Sequence, residues 1–395
     1  MKPEIHQNKK IIITCSNRLS PYLQQEVEAL DYKPNRVFKT GVELYGNIND
    51  CIKLNLHLRC ASQVLYSLNT FYAKNADELY EHIFLIEWEK LFSVNAKFSI
   101  TSNVHHPSIN NELFANVKVK DAIVDRFRFK VGERPDSGSE LSGVVIHLYW
   151  TELGAEIFID TSGETLSKHG YRKIPGKAPM LEALASATIL ASKWDKQSAF
   201  INPMCGSGTL AIEALMIATQ RKPGLYKSNF AFMHLTDYDS TFYKKELMKI
   251  ENNIESISTK IIATDISEDA VKNAKANAAF ANIDALIDFD VCDFEQTNIP
   301  ENQNGVVFIN PEYGERLGNI ELLEETYSRI GDFMKKKCKG YTGYIFTGNL
   351  DLAKHIGLKP SRRYEFYNST IDCRLLEYEL YAGTKRVEKV RNYSI

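Results

Sequence analysis

An amide side chain, a proline and an aromatic ring lie within four consecutive residues, at Asn310, Pro311 and Tyr313. The Oδ1 atom of Asn310 and the carbonyl oxygen of Pro311 can accept both hydrogens of a flat exocyclic amine, which orients the nitrogen lone pair. Tyr313 can stack on the ring that carries the amine. Little general-base power is needed, because the proton can leave after methyl transfer has made the nitrogen acidic. We therefore predict that these three residues are catalytic and act mainly by orientation; a proline turn with a buried tyrosine is the structural alternative.

A second chemical feature is a glycine-rich loop, which runs Asn-Pro-Met-Cys-Gly-Ser-Gly-Thr from Asn202 to Thr209 and leads into an apolar helix. Glycines let the backbone approach a ligand closely, and a helix N-terminus offers free N–H groups to a polar ligand. The pattern alone also fits a dinucleotide site, but such a site has its ribose-binding acid about 20 residues after the glycines. Here the first candidate, Asp265, comes much later, beyond an inserted segment at 218–260.

Two carboxylates at later strand ends favour an adenosine-containing cofactor. Asp265 ends a predicted strand and can accept hydrogen bonds from both ribose hydroxyls, while Asp293 follows the next strand and can accept from an adenine amino group. Each aspartate taken singly is a common solvated turn residue, but three matched features at successive strand ends favour a cofactor. The predicted cofactor-binding residues are Asn202, Pro203, Cys205, Gly206, Gly208, Thr209, Asp265, Ile266, Asp293 and Phe294.

These residues belong to a half of the chain whose pattern is typical of a doubly wound parallel α/β sheet. Short β-rich runs are separated by helix-length intervals, except for the last two, which are close enough to form a terminal antiparallel hairpin. The predicted strands are 199–202, 261–264, 286–290, 306–310, 343–346, 364–368 and 376–381, preceded by a helix over 179–192. The first half instead predicts small α+β sheets, with strands at 11–14, 41–45, 97–102 and 144–149 and helices at 21–30 and 52–67.

Composition excludes several classes of protein. Of the 395 residues, 44% are hydrophobic and 25% are charged, which is ordinary for globular domains and argues against disorder. The seven cysteines form no C-x-x-C pair, so we expect free thiols in a reducing cytoplasm rather than disulfides or a zinc site. His105-His106 lacks partner ligands and is expected in a turn, so no metal is predicted. With no recognisable leader or membrane-spanning run, we expect a cytoplasmic protein without membrane contact.

The glycine loop, the two aspartates and the run that begins at Asn310 resemble the class I S-adenosylmethionine-dependent methyltransferases. More narrowly, three segments resemble the bacterial THUMP-containing ribosomal RNA guanine N2-methyltransferases. These are residues 154–172, which include Ser-Gly-Glu-Thr and His-Gly-Tyr-Arg, the pair Ala178-Pro179, and Phe230-Ala-Phe-Met. The resemblance implies S-adenosylmethionine as cofactor, S-adenosylhomocysteine as product, and a guanine amine of large-subunit ribosomal RNA as acceptor.

The same resemblance implies a domain order and a fold class. A ferredoxin-like segment is expected at 1–55, a THUMP RNA-binding domain at 56–160 and a linker at 161–178. A class I methyltransferase domain, with a Rossmann-like seven-stranded sheet, is expected at 179–395. The expected fold is therefore α/β in the C-terminal part and α+β in the N-terminal module.

Three positions depart from the pattern of this family. Asn202 stands where an aspartate is usual, Leu181 replaces a basic residue, and Glu312 replaces the second proline of Asn-Pro-Pro-Tyr. An active enzyme remains the prediction, because the catalytic set and both aspartates are in place. The alternatives are an exocyclic-amine methyltransferase that acts on transfer RNA or on adenine, and a non-catalytic RNA-binding ribosome-assembly factor.

The formal net charge of −2 conceals an uneven distribution. Residues 118–134 carry a net charge of +3 and residues 167–227 one of +6, whereas residues 265–325 carry −11. Basic side chains that contact phosphates position an RNA without specifying a base, although a charged segment can also be just a solvated face. The predicted RNA-binding residues are Lys118, Lys120, Arg126, Arg128, Lys168, Arg172 and Lys173. We expect the target base to be flipped out of its helix; the sequence sets no oligomeric state, and a monomer is compatible with it.

Overall fold

The structure is a computed structural model that describes residues 6–176, 179–301, 304–314 and 320–381. In this part of the chain the strands are β1 (Lys9–Thr14), β2 (Arg36–Phe38), β3 (Gly41–Gly46), β4 (Gln63–Phe71), β5 (Phe98–His105), β6 (Val144–Thr151), β7 (Gly154–Asp160), β8 (Ala199–Pro203), β9 (Ile261–Asp265), β10 (Ile287–Val291), β11 (Gly305–Ile309), β12 (Tyr341–Thr347), β13 (Arg362–Asn368) and β14 (Ile371–Glu379). The α-helices there are α1 (Ser20–Glu28), α2 (Ile48–His57), α3 (Ala76–Phe84), α4 (Trp88–Leu91), α5 (Glu112–Val131), α6 (Glu182–Ser192), α7 (Thr209–Ala218), α8 (Ser240–Asn252), α9 (Glu268–Phe280), α10 (Ile320–Lys337) and α11 (Leu350–Lys354).

The described residues group into two units. The first contains those within Met1–Lys173, Met180–Leu190 and Met216–Ser256, and the second those within Ile174–Pro179, Ala191–Leu215 and Ile257–Ile395. Each unit contains a seven-stranded sheet. The segment 216–256, most of which the sequence shows as an insertion in the cofactor-binding half, therefore groups with the N-terminal unit.

The sheet of the first unit has the strand order β2-β3-β1-β4-β7-β6-β5. Its neighbouring strands are antiparallel, except for β5 and β6, which are parallel. The expectation of several small sheets is wrong. Strand β4 pairs with β1 on one side and with β7 on the other, and this joins the strands of the two expected N-terminal domains into one sheet.

The predicted helix over 52–67 is wrong in its second half. Helix α2 ends at His57, and Val64, Leu65 and Tyr66 are buried within β4. A strand that is buried on both faces has a continuous apolar run, which periodicity alone does not separate from a helix. Residues 63–71 form a strand because they pair with β1 and with β7, and no local sequence pattern reports such pairing.

The sheet of the second unit has the strand order β10-β9-β8-β11-β12-β14-β13. The first five strands in this order, β10, β9, β8, β11 and β12, are parallel to one another. Strand β14 is antiparallel to both β12 and β13. The predicted doubly wound sheet with a terminal antiparallel hairpin is therefore confirmed. The strand order reverses between β8 and β11, and open α/β sheets bind ligands at such a point, beyond the carboxyl ends of the strands.

Helix α10 shows how the sequence builds this unit. Leu323, Tyr327, Ile330 and Met334 recur at intervals of three or four residues, and all four are buried in the core that they share with the sheet. Three consecutive lysines in the last turn, residues 335–337, oppose the negative end of the helix dipole. The helix thus covers the sheet with its apolar face and directs its charged face to solvent.

Smaller differences concern element ends and cysteines. The helix expected over 179–192 begins at Glu182, and a short 3-10 turn at Asp284–Leu286 precedes β10. All seven cysteines are free thiols. Among the described helices, none has the length and apolar character that crossing a membrane requires.

Candidate active site

The glycine-rich loop connects β8 to α7 at the switch point of the second sheet. Met204, Gly206 and Gly208 all have positive φ angles, of 58°, 55° and 81°. A Cβ atom placed on Gly206 would meet no described atom within 4 Å, whereas one placed on Gly208 would lie 2.9 Å from the Cβ atom of Ala274. Gly206 therefore leaves open space for a ligand, and Gly208 lets the loop lie directly on α9.

Asp265, the last residue of β9, braces this loop. Its Oδ2 atom accepts a hydrogen bond of 2.9 Å from the backbone N–H of Gly206, and its Oδ1 atom accepts one of 3.0 Å from Ser267. Each carboxylate oxygen has two lone pairs, so both oxygens can still accept from ribose hydroxyls. The neighbouring Ile266 is 72% exposed, which suits an apolar contact with a ligand ring.

Asp293 lies just beyond β10 and is held by an arginine that the sequence did not single out. The Oδ1 atom of Asp293 accepts from the backbone of Glu295 and from Nη2 of Arg329, each at 2.9 Å. The same Arg329 also binds the Glu295 carboxylate, and its guanidinium group lies 4.9 Å from the ring centroid of Phe294. Both of these bonds use Oδ1, so they leave the lone pairs of Oδ2 available to accept other hydrogen bonds. Arg329 is 36 residues away on α10, so no local pattern could connect the two.

Phe294, predicted as a cofactor contact, is a core residue through its ring. Only 6% of the residue is exposed, and its ring packs edge-on against Phe333 with centroids 5.8 Å apart. The ring also makes a cation–π contact with Arg329. The backbone is therefore the part of Phe294 that remains a candidate for ligand contact.

Two asparagine side chains occupy the switch point between β8 and β11. Asn202 is fully buried and donates from Nδ2 to the carbonyl oxygen of Phe308 at 2.8 Å. The Oδ1 atoms of Asn202 and Asn310 are both buried, and neither has a hydrogen-bond partner among the described residues. Other buried side-chain atoms of the described residues are also unpaired, but these two lie at the carboxyl ends of neighbouring parallel strands, where open α/β sheets bind ligands, and so are candidate acceptors for ligand donors.

Tyr313 is held by the terminal hairpin. Its hydroxyl oxygen accepts a hydrogen bond of 2.8 Å from Nδ2 of Asn368, at the end of β13, and lies 3.9 Å from the Sγ atom of Cys373. Its ring packs edge-on against Phe346. A Cβ atom on Gly348 would lie 2.9 Å from this ring, so only glycine fits there. Burial raises the pKa of Tyr313, and the hydroxyl is therefore neutral at physiological pH.

Cys205 and its neighbours complete the loop. The Cys205 thiol is buried, and burial, reinforced by the nearby Asp265 carboxylate, raises its pKa. A neutral thiol is a poor nucleophile, so Cys205 lines the loop rather than attacking a base. Pro203 ends β8 and Thr209 begins α7, so these two residues flank the glycine-rich turn.

The basic residues predicted to bind RNA fall into three groups. Arg126 is buried and makes two hydrogen bonds to the Glu89 carboxylate, of 3.0 and 2.6 Å, and Arg172 pairs with Glu182 at 2.9 Å. These two predictions need correction, because internal carboxylates already neutralise both arginines and burial keeps them from a phosphate backbone. Lys168 and Lys173 are exposed. The remaining three make surface ion pairs with aspartates, namely Lys118 with Asp77, Lys120 with Asp121 and Arg128 with Asp125.

Three family models match successive parts of the chain. Residues 10–65 match the RlmL ferredoxin-like domain, and residues 73–160 match the THUMP domain. Residues 169–377, which include the glycine-rich loop, Asp265, Asp293, Asn310 and Tyr313, match the RMKL-like methyltransferase domain.

Two curated proteins and one solved structure are similar to nearly the whole chain. A Syntrophotalea carbinolica protein named ribosomal RNA large subunit methyltransferase K/L is 31% identical over 382 residues, which are 94% of this chain and 53% of that protein. A putative RNA methyltransferase of Synechocystis sp. is 30% identical, over 93% of this chain and 96% of that protein. The crystal structure of SMU.472, a putative methyltransferase complexed with SAH, is 25% identical with a TM-score of 0.85, over 96% of this chain and 100% of that chain. The chain thus spans about half the length of the first relative and nearly all of the second.

Proposed function

We propose, from the premise that this chain belongs to the RMKL-like methyltransferase family, that it transfers a methyl group from S-adenosylmethionine to the exocyclic amine of a guanine in large-subunit ribosomal RNA. One observation carries the proposal. The Oδ1 atom of Asn310 is buried beyond the carboxyl end of β11 without a partner among the described residues. An unpaired buried acceptor costs about 1–3 kcal/mol, which is offset when a substrate amine donates to it.

Family membership confirms the resemblance that the sequence suggested. The RlmL ferredoxin-like domain and the THUMP domain precede the methyltransferase domain in the chain. S-adenosylmethionine is the cofactor of this fold, and the similar SMU.472 structure contains its product, SAH.

The residues at the switch point fit this cofactor. Gly206 leaves open space beside the loop, and the unpaired Oδ1 atom of Asn202 is an acceptor for an ammonium group such as that of the methionine end. Asp265 would accept from the ribose hydroxyls, and Oδ2 of Asp293 from the adenine amine. Asparagine in place of the usual aspartate at position 202 removes one negative charge and keeps the acceptor.

Bound S-adenosylmethionine supplies an electrophilic methyl group. The chain holds the amine that attacks it: Asn310 Oδ1 and the Pro311 carbonyl accept the two amine hydrogens and direct the nitrogen lone pair. Tyr313, fixed by the hairpin, offers its ring for stacking on the base. After transfer, the positively charged nitrogen releases its extra proton to water, so the site requires no buried base. Glu312 is exposed, and water screens its charge from the amine.

RNA is the proposed substrate class, because the chain contains a THUMP domain and two similar proteins are named as RNA methyltransferases. The proposed phosphate contacts are Lys118, Lys120, Arg128, Lys168 and Lys173. Three of them pair with aspartates at the surface, but such pairs contribute about 0–1 kcal/mol, so a phosphate can replace the aspartate. Large-subunit ribosomal RNA is proposed from the name of the Syntrophotalea relative, and the cytoplasm is the proposed location.

The proposal is tested by comparing modified nucleosides in ribosomal and transfer RNA from cells with and without the gene, using mass spectrometry. Loss of N2-methylguanosine from large-subunit ribosomal RNA, restored by the wild-type gene and not by Asn310→Ala, supports it. Loss of a methyladenosine or of a transfer-RNA modification refutes guanine or ribosomal RNA as the acceptor. An unchanged set of nucleosides refutes the enzymatic proposal in favour of a non-catalytic RNA-binding factor.

A further inference from the structure

Asn277, on helix α9, is a fully buried amide whose hydrogen bonds connect two separate parts of the second unit. Its Oδ1 atom accepts from the backbone N–H of Ile174 at 3.0 Å, and its Nδ2 atom donates to the carbonyl oxygen of Ile174 at 2.8 Å. Nδ2 also donates to the carbonyl oxygen of Ser207 at 3.2 Å. One side chain therefore binds both backbone groups of one residue and a carbonyl of the glycine-rich loop.

The bonds to Ile174 hold a short segment, residues 174–176, which we call the strap. A Cβ atom placed on Gly176 would lie 3.7 Å from Cβ, 3.8 Å from Oγ and 4.0 Å from the backbone nitrogen of Ser207. The strap therefore passes beside the loop, close enough that an alanine side chain at position 176 would touch Ser207. Because the side chains of the strap are exposed, burial of apolar surface contributes little to holding it, and the two Asn277 bonds supply its attachment.

The same face of α9 also contacts the loop one turn earlier. Ala274 precedes Asn277 by three residues, so the two side chains lie on one face of the helix. The approach of Gly208 to Ala274 leaves no space for a side chain at position 208. Ala274 and Asn277 thus set how closely the glycine-rich loop approaches α9 and where along the helix it lies.

We propose that Asn277 is a positioning residue for cofactor binding, which fixes the Ser207 backbone and the strap in a single geometry. The inference rests on the proposed function, because it requires the glycine-rich loop to bind S-adenosylmethionine. Alanine at this position loses all three bonds. Aspartate keeps the size of the side chain and the bond from the Ile174 N–H, but in its charged form it cannot donate to either carbonyl oxygen.

The test uses Asn277→Ala and Asn277→Asp, with Asn55→Ala as the matched control. Asn55 is likewise a buried helical amide that donates two hydrogen bonds, to Cys51 and to Thr161, but it lies in the first unit. By calorimetry, both Asn277 variants should bind S-adenosylhomocysteine about tenfold or more weakly than the wild type. Their KM for S-adenosylmethionine should rise in parallel, while kcat at saturation changes less than about threefold. Asn55→Ala should lower the melting temperature and leave the affinity unchanged.

Equal affinity of wild type and folded Asn277 variants would overturn the proposal, as would an equal loss of affinity in Asn55→Ala. If the variants do not fold, hydrogen exchange in the wild-type protein decides. Saturating S-adenosylhomocysteine should slow exchange at the Ile174 amide together with the amides of the loop, and an unchanged Ile174 amide refutes the coupling. Failure of the wild type to bind S-adenosylhomocysteine at all would instead refute the proposed function.

Discussion

Replacing Asn310 by alanine should separate the stability of the protein from its catalysis. The buried Oδ1 atom has no partner among the described residues, and such an acceptor costs about 1–3 kcal/mol. Alanine removes that cost and also removes side-chain packing that is worth on the order of 1 kcal/mol. The free energy of unfolding of the ligand-free protein should therefore stay within about 1 kcal/mol of wild type or increase.

The same substitution should strongly impair the transfer reaction. Without the acceptor, the amine is no longer oriented toward the methyl group, and misorientation of this kind costs about 100-fold in rate, or roughly 2.7 kcal/mol. The cofactor affinity should remain within about twofold, because the proposed cofactor contacts lie at or just after the ends of β8, β9 and β10 and do not include Asn310.

Three measurements check these statements: urea unfolding, calorimetry with S-adenosylhomocysteine, and single-turnover methylation of RNA from cells that lack the gene. Asn304→Ala, which changes an exposed asparagine just before β11, is the matched control and should behave as wild type. A rate within threefold of wild type would refute the orienting role of Asn310. A loss of more than about 2 kcal/mol in unfolding free energy would show that Oδ1 already has a stabilising partner in the ligand-free protein.

Three further changes test other parts of the site and the fold. Asp265→Ala removes both the hydrogen bond to the Gly206 N–H and the proposed ribose acceptor. Calorimetry should therefore show at least about a 100-fold loss of affinity for S-adenosylmethionine. Unchanged affinity contradicts the cofactor assignment. Arg329→Ala removes the ion pair that holds Asp293. Because this ion pair is partly exposed, the unfolding free energy should fall by less than about 1 kcal/mol. The KM for S-adenosylmethionine should rise severalfold, and an unchanged KM argues against a positioning role of Arg329. Burial lowers the pKa of His57 to about 4 from 6.5 and so keeps its imidazole neutral in the native state. Because the unfolded state takes up this proton more readily, the stability that is present above pH 6.5 is lost as the pH falls toward 4. His57→Leu should therefore gain stability relative to wild type between pH 7 and pH 4.5, by at most about 3 kcal/mol in urea unfolding, and a pH-independent difference would contradict this.

The strand-end chemistry of the site was accessible to sequence reasoning because it is local. A parallel sheet brings the carboxyl ends of its strands to one edge, so a glycine loop after β8, an aspartate at the end of β9 and an asparagine after β11 must all lie near that edge. The structure places Asp265 in hydrogen-bond contact with Gly206 accordingly. The catalytic and binding roles assigned to these residues stay predictions until they are measured.

Partners that are distant in sequence were not accessible in this way. Arg329 reaches Asp293 from α10, Asn368 holds Tyr313 from the hairpin, and Asn277 joins the strap to the loop. Arginine, asparagine and lysine occur at many surface positions, and nothing in their local context tells which of them will meet a given carboxylate or carbonyl.

The sequence by itself determined the class of sheet, the order of the functional turns and the family, because hydrophobic periodicity and short motifs are properties of neighbouring residues. Only the tertiary structure decided that β4 is a strand, that the segment 216–256 groups with the N-terminal unit, and that Arg126 lies in an internal ion pair. The physical reason is common to all three. Hydrogen bonds between strands, burial against distant elements and charge pairing across the fold are energies between residues far apart in the chain, and local sequence does not report them.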